Sequence, residues 1–359
     1  MKHSPLPAVP FLISFLLPPL VMVSVTERGA WTYLPLAVIF FAVPLVDRLA
    51  GVAEIRRQSP DFDRNMFFKL VTWLWVPVQI GLLLWVLAAT TGGGLTTLEI
   101  VGATLSMGAT AGAIGITFAH ELVHRSHPLE RALGEILLSS VSYAHFAIEH
   151  VHGHHRHVGT PRDPATARLG ESYYRFLPRT LVGSLTSAWH LEAERLSRRG
   201  PGMWSTSNRM LRYGAVQVAI YTVVWWLFGR IGVAVFAGQA VMAFSLLEVI
   251  NYVEHYGLVR KEVTPGEYER VAPQHSWDSS YRVSNWMLIN LARHSDHHCM
   301  SAKRYQSLEL LPLAPQLPAG YGAMFLLALV PPLWFRVMNP LAESAQAESA
   351  RLSDSDSRF

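Results

Sequence analysis

The chain has 359 residues, of which 50% are hydrophobic and only 16% are charged, and its mean hydropathy is +0.23. A soluble domain carries about 25% charged residues, so this composition argues against an ordinary soluble enzyme and indicates a membrane protein. The formal net charge is +4. The basic residues flank apolar segments instead of forming a continuous stripe, which argues against a nucleic-acid-binding protein.

Long apolar segments predict the membrane spans. In chain order they lie near residues 8–26, 30–46, 66–90, 98–119, 214–228 and 231–250. Because about 20 apolar residues cross a bilayer as a helix, we predict an all-α integral membrane protein with about six transmembrane helices. Its membrane-embedded domain covers residues 1–338. The first segment lacks a clear cleavage site and is followed at once by a second apolar segment, so we expect it to be retained.

The distribution of arginine predicts the orientation. The loop 47–65 contains Arg48, Arg56, Arg57 and Arg64, and the stretch 120–212 is rich in arginine, whereas the loop 91–97 has no charge. Loops rich in Lys and Arg stay in the cytoplasm, so both termini are expected there. Residues 320–338 contain Pro331-Pro332 and predict an interfacial or re-entrant helix, with a seventh span less favoured. Residues 339–359 predict a disordered polar tail.

Histidines carry the clearest chemical signal. Nine of the sixteen fall into four groups: "HELVHR" with His120 and His124, "EHVHGHH" with His150, His154 and His155, "NYVEHYG" with His255, and "RHSDHH" with His294, His297 and His298. All four groups lie at, or can fold back to, the cytoplasmic ends of predicted spans. So many imidazoles near a membrane would be costly without a metal.

The spacing of these histidines indicates two metal ions. His120 and His124 share one helix face, but on an unbroken helix His155 lies about 100° from His154. Either the helix yields near Gly153 or the two neighbours reach different metals, and we favour the second interpretation. One octahedral metal holds about six ligands, so two metals with four or five imidazoles each would use all nine.

Other metal classes explain less. "HELVH" matches the zinc protease pattern, but a catalytic zinc needs only three protein ligands and leaves most of the histidines unused. Soluble di-iron proteins rely on carboxylates. A histidine-rich, non-haem di-iron centre at the cytoplasmic membrane surface fits best.

The sequence around these groups resembles the membrane-bound alkane hydroxylases, or alkane 1-monooxygenases, of the histidine-box desaturase and hydroxylase family. The resemblance includes "GTPRDPATARLGESYYRFLPRTLVGSL", "LLEVINYVEHYGLVR", "HSWDSS", "NLARHSDHHC" and "RYQSLELLPLAPQLPAGYGAMFLLALVPPLWFRVMNP". It implies that the nine histidines named above bind two iron ions. The chain departs from the family pattern at His152, His157 and Cys299 and in "GTP", but none of these changes removes a ligand.

The resemblance also implies a reaction. A bacterial inner-membrane enzyme of this kind hydroxylates the terminal carbon of n-alkanes with O2, giving 1-alkanols, and takes its alkane substrate from the lipid. Its electrons come from rubredoxin, itself reduced by an NADH-dependent reductase. Cys299 is the single cysteine and no CxxC motif is present, so the donor is expected to be a separate protein. Basic residues near the four histidine groups are expected to steer an acidic donor: Arg125, Arg131, Arg156, Arg162, Arg293, Lys303 and Arg304.

Residues that bond the ligating histidines are predicted from sequence proximity, since a metal-bound imidazole usually donates its second N–H to a carboxylate or carbonyl. The acids beside ligand histidines are Glu121, Glu149, Glu254 and Asp296. His145 and His275 are added because they lie in the family-like stretches "YAHF" and "HSW". No catalytic residue beyond the metal ligands is predicted. Alternatives left open are a hydroxylase or desaturase acting on a xylene-type methyl group or a fatty acyl chain, a zinc intramembrane protease, and a non-catalytic metal carrier.

Overall fold

Helices dominate the structure, a computed structural model that describes residues 6–53, 65–200 and 202–356. In chain order they are α1 (Leu6–Glu27), α2 (Gly29–Ala50), α3 (Met66–Thr91), α4 (Thr97–Val123), α5 (Pro128–Ser140), α6 (146–157), α7 (Tyr173–Arg199), α8 (Arg209–His255), α9 (Arg282–Met287), α10 (His294–Cys299), α11 (Tyr321–Ala328) and α12 (Pro331–Asp356). Strands β1 (Glu262–Thr264) and β2 (Glu267–Tyr268) form a small antiparallel hairpin. Short 3-10 turns cover Pro273–His275 and Tyr305–Ser307.

Five of the described helices are long and apolar enough to cross a membrane, namely α1, α2, α3, α4 and α8. Helix α8 has 47 residues and is two helices joined at Gly229, whose φ of 63° and ψ of −161° are not helical. A positive φ of this kind suits glycine, which has no Cβ. The two halves of α8 correspond to the predicted spans 214–228 and 231–250, so the all-α membrane fold is confirmed. Arg56, Arg57 and Arg64 lie outside the described residues.

Small residues let α4 pack closely against α8. A Cβ at Gly108 would lie 2.6 Å from the carbonyl oxygen of Gln239, and one at Gly112 would lie 2.8 Å from that of Ala243. These two glycines form a G-x-x-x-G pattern, which brings helix backbones together within membranes. The close packing fixes the end of α4, which carries His120, relative to the end of α8, which carries His255.

Helix α5 is too short to cross the membrane and runs beside the first half of α8. The Tyr213 hydroxyl donates to Glu135 at 2.9 Å, and one step further along, Gln217 donates to Ser142 at 2.9 Å. At its far end the Ser140 carbonyl accepts a hydrogen bond from Gln239 at 2.8 Å. The first turn of α5 therefore lies at the level of the start of α8.

A buried carboxylate ties α2 to the segment between α8 and α11. Asp47 is 1% exposed and accepts hydrogen bonds from the backbone N–H groups of Val283 at 2.7 Å and Ser284 at 2.9 Å. These are the first-turn donors of α9, which lack partners within their own helix. The contact brings the segment that carries α9 and α10 to the end of the bundle where α4 carries His120.

Within the C-terminal region, the tail differs from its prediction. Residues 320–338 form α11 and the start of α12, separated at Pro331, and neither helix is among the five span candidates. The tail predicted as disordered continues α12 to Asp356. Its alanines and glutamates favour helix. Ala342 is buried against Gly257, and a Cβ built on Gly257 would lie 2.9 Å from the Cβ of Ala342. Tyr256 also donates to Asn339 at 2.6 Å.

Candidate metal centre

The nine histidines of the four sequence groups converge into two clusters. His120, His124, His150, His155 and His297 form a five-histidine cluster, and His154, His255, His294 and His298 form a four-histidine cluster. Within each cluster the candidate ligand atoms all lie within 4.8 Å of one another. Each cluster draws on separate parts of the chain, α4, α6 and α10 for the first and α6, α8 and α10 for the second.

A π-helical turn explains how α6 serves both clusters. The turn covers His150–His154, and the His155 N–H donates to the His150 carbonyl, five residues back. This i→i+5 bond widens the helix and places His155 on the face of His150, with 3.0 Å between their Nε2 atoms. His154 then points to the other cluster. The helix therefore yields near Gly153 and places His154 and His155 in different clusters.

Glycine inside this turn permits close packing. A Cβ on Gly153 would lie 2.6 Å from Oε1 of Glu149 and 3.1 Å from Cδ1 of Leu191 on α7. With glycine here, α6 lies against α7 without displacing these two side chains.

Helix α10 divides its histidines in the same way. His297 reaches the five-histidine cluster, with its Nε2 3.0 Å from that of His155. His294 and His298 reach the four-histidine cluster, with 2.9 Å between their Nε2 atoms and 3.1 Å between those of His294 and His255. The two clusters thus flank α10, as they flank α6.

The spacing of the nitrogens fits metal coordination better than hydrogen bonding. His150 Nε2 lies 2.5 Å from His120 Nε2 and 3.0 Å from His155 Nε2, but a neutral ring nitrogen offers one hydrogen or one lone pair, never both. Two nitrogens that bind one metal at about 2.1 Å lie about 3.0 Å apart at right angles and about 3.4 Å apart in a tetrahedron. Four of the five close pairs lie at 2.9, 3.0, 3.0 and 3.1 Å. Each of the two clusters could therefore hold a metal ion.

Burial keeps these imidazoles neutral. It lowers the pKa of His150, His297 and His298 well below the ordinary value, and neighbouring histidines lower it further. Neutral imidazole has a free lone pair and is the form that binds a metal. His154 differs: burial alone would lower its pKa, but Asp163, together with Glu149 and Glu254, outweighs burial and raises it.

Two carboxylates contact the four-histidine cluster, one at His154 and the other at His294. Asp163 Oδ2 lies 2.9 Å from Nδ1 of His154, whose Nε2 is buried with no hydrogen-bond partner among the described residues. Glu254 Oε2 lies 3.1 Å from His294 Nε2, and the Tyr321 hydroxyl donates to Glu254 Oε1 at 2.5 Å. Sequence reasoning did not assign Asp163 to a histidine, although "TPRDP" stood in a family-like stretch.

The other predicted supporting residues have different partners. Glu121 faces Arg125 at 3.5 Å, Asp296 accepts from Lys303 at 2.7 Å, and Glu149 lies 3.4 Å from the Ser187 hydroxyl. His145 contacts the ring of Tyr143, and His275 lies 3.1 Å from Glu269. The three acids adjoin ligand histidines in sequence, but successive helix positions point about 100° apart.

Several basic residues expected to steer a donor face inward instead. Arg125 and Arg293 are buried and donate to backbone carbonyls, including those of Ala302 and Leu308. Arg304 pairs with Glu130 at 3.0 Å and Lys303 with Asp296 at 2.7 Å. Exposed members of the predicted set are Arg131, Arg156 and Arg162.

An apolar cavity opens onto both clusters. Counted to its open mouth, it encloses about 940 Å³. His120, His150 and His294 line one part of it. Most of its remaining wall is aliphatic or aromatic, including Phe40 of α2 and Phe325 of α11, whose rings stack at 4.4 Å.

Comparison with known proteins agrees with this geometry. The fatty acid desaturase family pattern matches residues 96–328, which contain all nine histidines. Alkane 1-monooxygenase 2 of Pseudomonas aeruginosa is 41% identical over 91% of this chain and 88% of its own length. An alkane 1-monooxygenase of Pseudomonas putida is 39% identical over 88% of this chain and 79% of its own length.

A related protein from outside the alkane group is more distant. The hydroxylase component of xylene/toluene monooxygenase from Pseudomonas putida is 31% identical over 86% of this chain and 82% of its own length. The family match and the long alignments, taken with the histidine clusters and the membrane helices, establish the relationship. The chain belongs to the fatty acid desaturase family and, within it, to the membrane-bound alkane 1-monooxygenases.

Proposed function

We propose that this chain is a rubredoxin-dependent alkane 1-monooxygenase that converts n-alkanes into 1-alkanols. One alkane, one O2, two electrons and two protons give one alcohol and one water. The observation that carries the proposal is the apolar cavity that ends at histidines of both clusters. A hydrocarbon offers no polar handle, so it must be held by shape and by burial of its methylene groups.

The polar side chains of the cavity wall support an apolar substrate, because they are engaged elsewhere. Thr117 donates to the Ala113 carbonyl at 2.7 Å, Asn251 donates to Glu248 at 3.3 Å, and Ser284 bonds Asp47. A polar ligand would find few free partners there. An alkane forms no hydrogen bonds, so these polar groups can keep their partners within the protein when it binds.

The nine clustered histidines would hold two iron ions, five imidazoles at one and four at the other. Iron bound there supplies the activation of O2 that a C–H bond requires. The protein holds the ligands in place, Asp163 orients His154, and Glu254 with Tyr321 stands beside His294. The aliphatic wall excludes water from the end of the cavity.

The substrate path supports entry from the lipid. Ile39, Phe40 and Val43 of α2 line the cavity, whereas Phe41 and Leu45 on the same helix are exposed by 66% and 61%. In a bilayer these exposed side chains would face acyl chains. A single helix therefore separates the cavity from the lipid on this side.

The electron donor would approach from the face that carries the histidine clusters, which the positive-inside rule assigns to the cytoplasm of a bacterial inner membrane. Arg156 and Arg162 are exposed beside α6. Four of the seven expected residues are engaged internally and Arg131 lines a separate pocket, so the docking proposal rests on Arg156 and Arg162. An acidic rubredoxin would be attracted more strongly at low ionic strength, because the screening length is about 8 Å at physiological salt.

The experiment that tests this function uses the full chain, purified in a membrane mimic and loaded with iron, together with rubredoxin, its reductase and NADH. We expect 1-alkanol from n-alkanes, O2 uptake coupled to NADH, and an iron content near two per chain. His297→Ala should abolish the product, while His190→Ala, at an exposed position on α7, should retain it.

The same assay distinguishes the alternatives. Product from a xylene methyl group with none from any n-alkane would refute the alkane assignment, as would desaturation of a fatty acyl chain. Zinc near one per chain together with peptide cleavage would indicate a protease. Iron binding without O2 uptake would indicate a metal carrier.

A further inference from the structure

A concave pocket rich in arginine lies on the far side of α6 from the histidine clusters. Its wall contains one histidine, His152, one acid, Glu194, and five arginines from α5, α7 and the first turn of α8: Arg131, Arg195, Arg198, Arg199 and Arg209. The acid is exposed and pairs with Arg198 at 2.5 Å. The wall therefore carries four more cations than anions, before counting the buried Glu192 behind it.

Buried Glu192 holds two of these arginines in place. It is 0% exposed and accepts hydrogen bonds from Arg195 Nε at 2.8 Å and from Arg209 Nε at 2.9 Å. The Arg209 backbone N–H donates to the same carboxylate at 2.7 Å. Burial alone would raise the pKa of Glu192, but these bonds outweigh it and lower the pKa to about 2, so the carboxylate stays charged.

The pocket retains unused donors. Within the described part of the chain, Arg131 and Arg199 make no side-chain hydrogen bond or ion pair, and the Nη1 groups of Arg195 and Arg209 make none either. Guanidinium groups that converge with free N–H donors match the oxygens of a phosphate group.

The position of the pocket relative to the membrane indicates which kind of molecule carries the phosphate group. Arg209 is the first residue of the span-forming helix α8, and Arg131 lies in the first turn of α5, at the same level. Beside them the loop before α8 exposes Trp204 by 79% and Met203 by 39%. Tryptophan at the end of a membrane span marks the headgroup level of a bilayer.

We propose that this arginine pocket binds the phosphate headgroup of an anionic phospholipid, in the leaflet on the side of the histidine clusters. The phosphate contacts the free guanidinium donors, and the acyl chains pass beside Trp204 into the bilayer. Basic pockets at the end of transmembrane helices bind anionic lipids in this way. The proposal rests on the membrane fold and does not depend on the reaction catalysed.

A lipid fits better than an acidic protein because of shape and position. The donors line a concavity between three helices at the membrane surface, where a protein has to reach past the headgroups. The exposed arginines better placed for a protein are Arg156 and Arg162, in and just after the end of α6. Bound lipid would join α5, α7 and α8 behind the turn that carries His150 and His154.

The test uses the full chain purified in detergent and placed in nanodiscs of phosphatidylcholine, with or without phosphatidylglycerol. Lipids retained per chain are counted by native mass spectrometry. The variant is Arg131→Gln with Arg199→Gln, two exposed arginines without partners, so folding should be preserved. The matched control is Arg168→Gln with Arg175→Gln, also exposed and about 36 Å away along α7 between residues 175 and 199.

We expect one tightly retained phosphatidylglycerol in the wild type and in the control. One arginine near an anionic lipid contributes about a fivefold factor, so the loss of two should weaken retention about 30-fold. A parallel measurement adds inorganic phosphate, which should not displace the lipid at an equal concentration because it lacks acyl chains.

Three results would overturn the assignment. Equal retention in the variant, the control and the wild type would show that the pocket does not bind lipid. Displacement of the lipid by an equal concentration of inorganic phosphate would identify free phosphate as the ligand. Unchanged lipid retention with a higher rubredoxin requirement would identify the pocket as a protein docking site.

Discussion

Replacing Asp163 by Asn should weaken one metal of the pair far more than the other. Asp163 Oδ2 lies 2.9 Å from His154 Nδ1 and also accepts from the Thr166 hydroxyl at 2.6 Å. The side chains of Asp163 and His154 are almost fully buried, with exposures of 0% and 1%. The substitution keeps the shape but removes the charge that favours the N–H on Nδ1 and leaves Nε2 free for the metal.

The magnitude follows from the chemistry of that contact. A hydrogen bond to a charged group contributes about 1.5–3 kcal/mol, which corresponds to roughly 10–150-fold in affinity. This agrees with the 10–100-fold loss seen when the partner of a metal-bound histidine is removed. His154 belongs to the four-histidine cluster alone, so the five-histidine cluster should keep its metal.

The assay is iron content after titration with a chelator. The wild type should release two ions over a similar concentration range, whereas Asp163→Asn should release about one ion at roughly 10–100-fold lower chelator. Glu171→Gln is the matched control, because Glu171 is a partly buried acid in the same connecting segment that pairs with Arg179 at 2.7 Å and contacts neither cluster. Equal loss of both ions in Asp163→Asn, or no loss, would refute the role given to this residue.

The other predictions concern ligation, substrate and topology. His255→Ala should abolish hydroxylation and lower bound iron, and full activity would contradict the nine-ligand proposal, because α8 provides no second histidine to the cluster. Ala113→Leu adds three carbons to the cavity wall. Activity on the longest accepted alkanes should therefore fall by about fourfold per displaced methylene, while activity on shorter alkanes is retained. Product profiles from alkanes of graded length test this, and a uniform loss across all lengths would indicate a folding defect instead. A reporter fused after Phe359 should be read in the cytoplasm, and a periplasmic signal would mean that residues 320–338 cross the membrane, contrary to the interfacial or re-entrant prediction.

Local sequence was sufficient for the spans and for the histidine groups. Apolar segments such as 98–119 predicted helices because burial in lipid depends on composition and length. The same holds for the division of α8, where two apolar segments flank Gly229. The tail was the exception, because its polar composition predicted disorder. Its alanine-rich sequence instead continues α12, whose Asn339 accepts a hydrogen bond from Tyr256.

Only the tertiary structure decided how the nine histidines divide. Adjacent residues such as His297 and His298 separate into different clusters because successive positions on a helix point about 100° apart, and the i→i+5 bond of His155 changes the spacing further. For the same reason Glu121 and Asp296 face arginine and lysine, while Asp163 reaches His154 from a loop. The sequence by itself determined which residues could bind metal, since that depends on side-chain chemistry. Which of them share an ion, and which acids support them, depends on contacts between α4, α6, α8 and α10 that no local pattern contains.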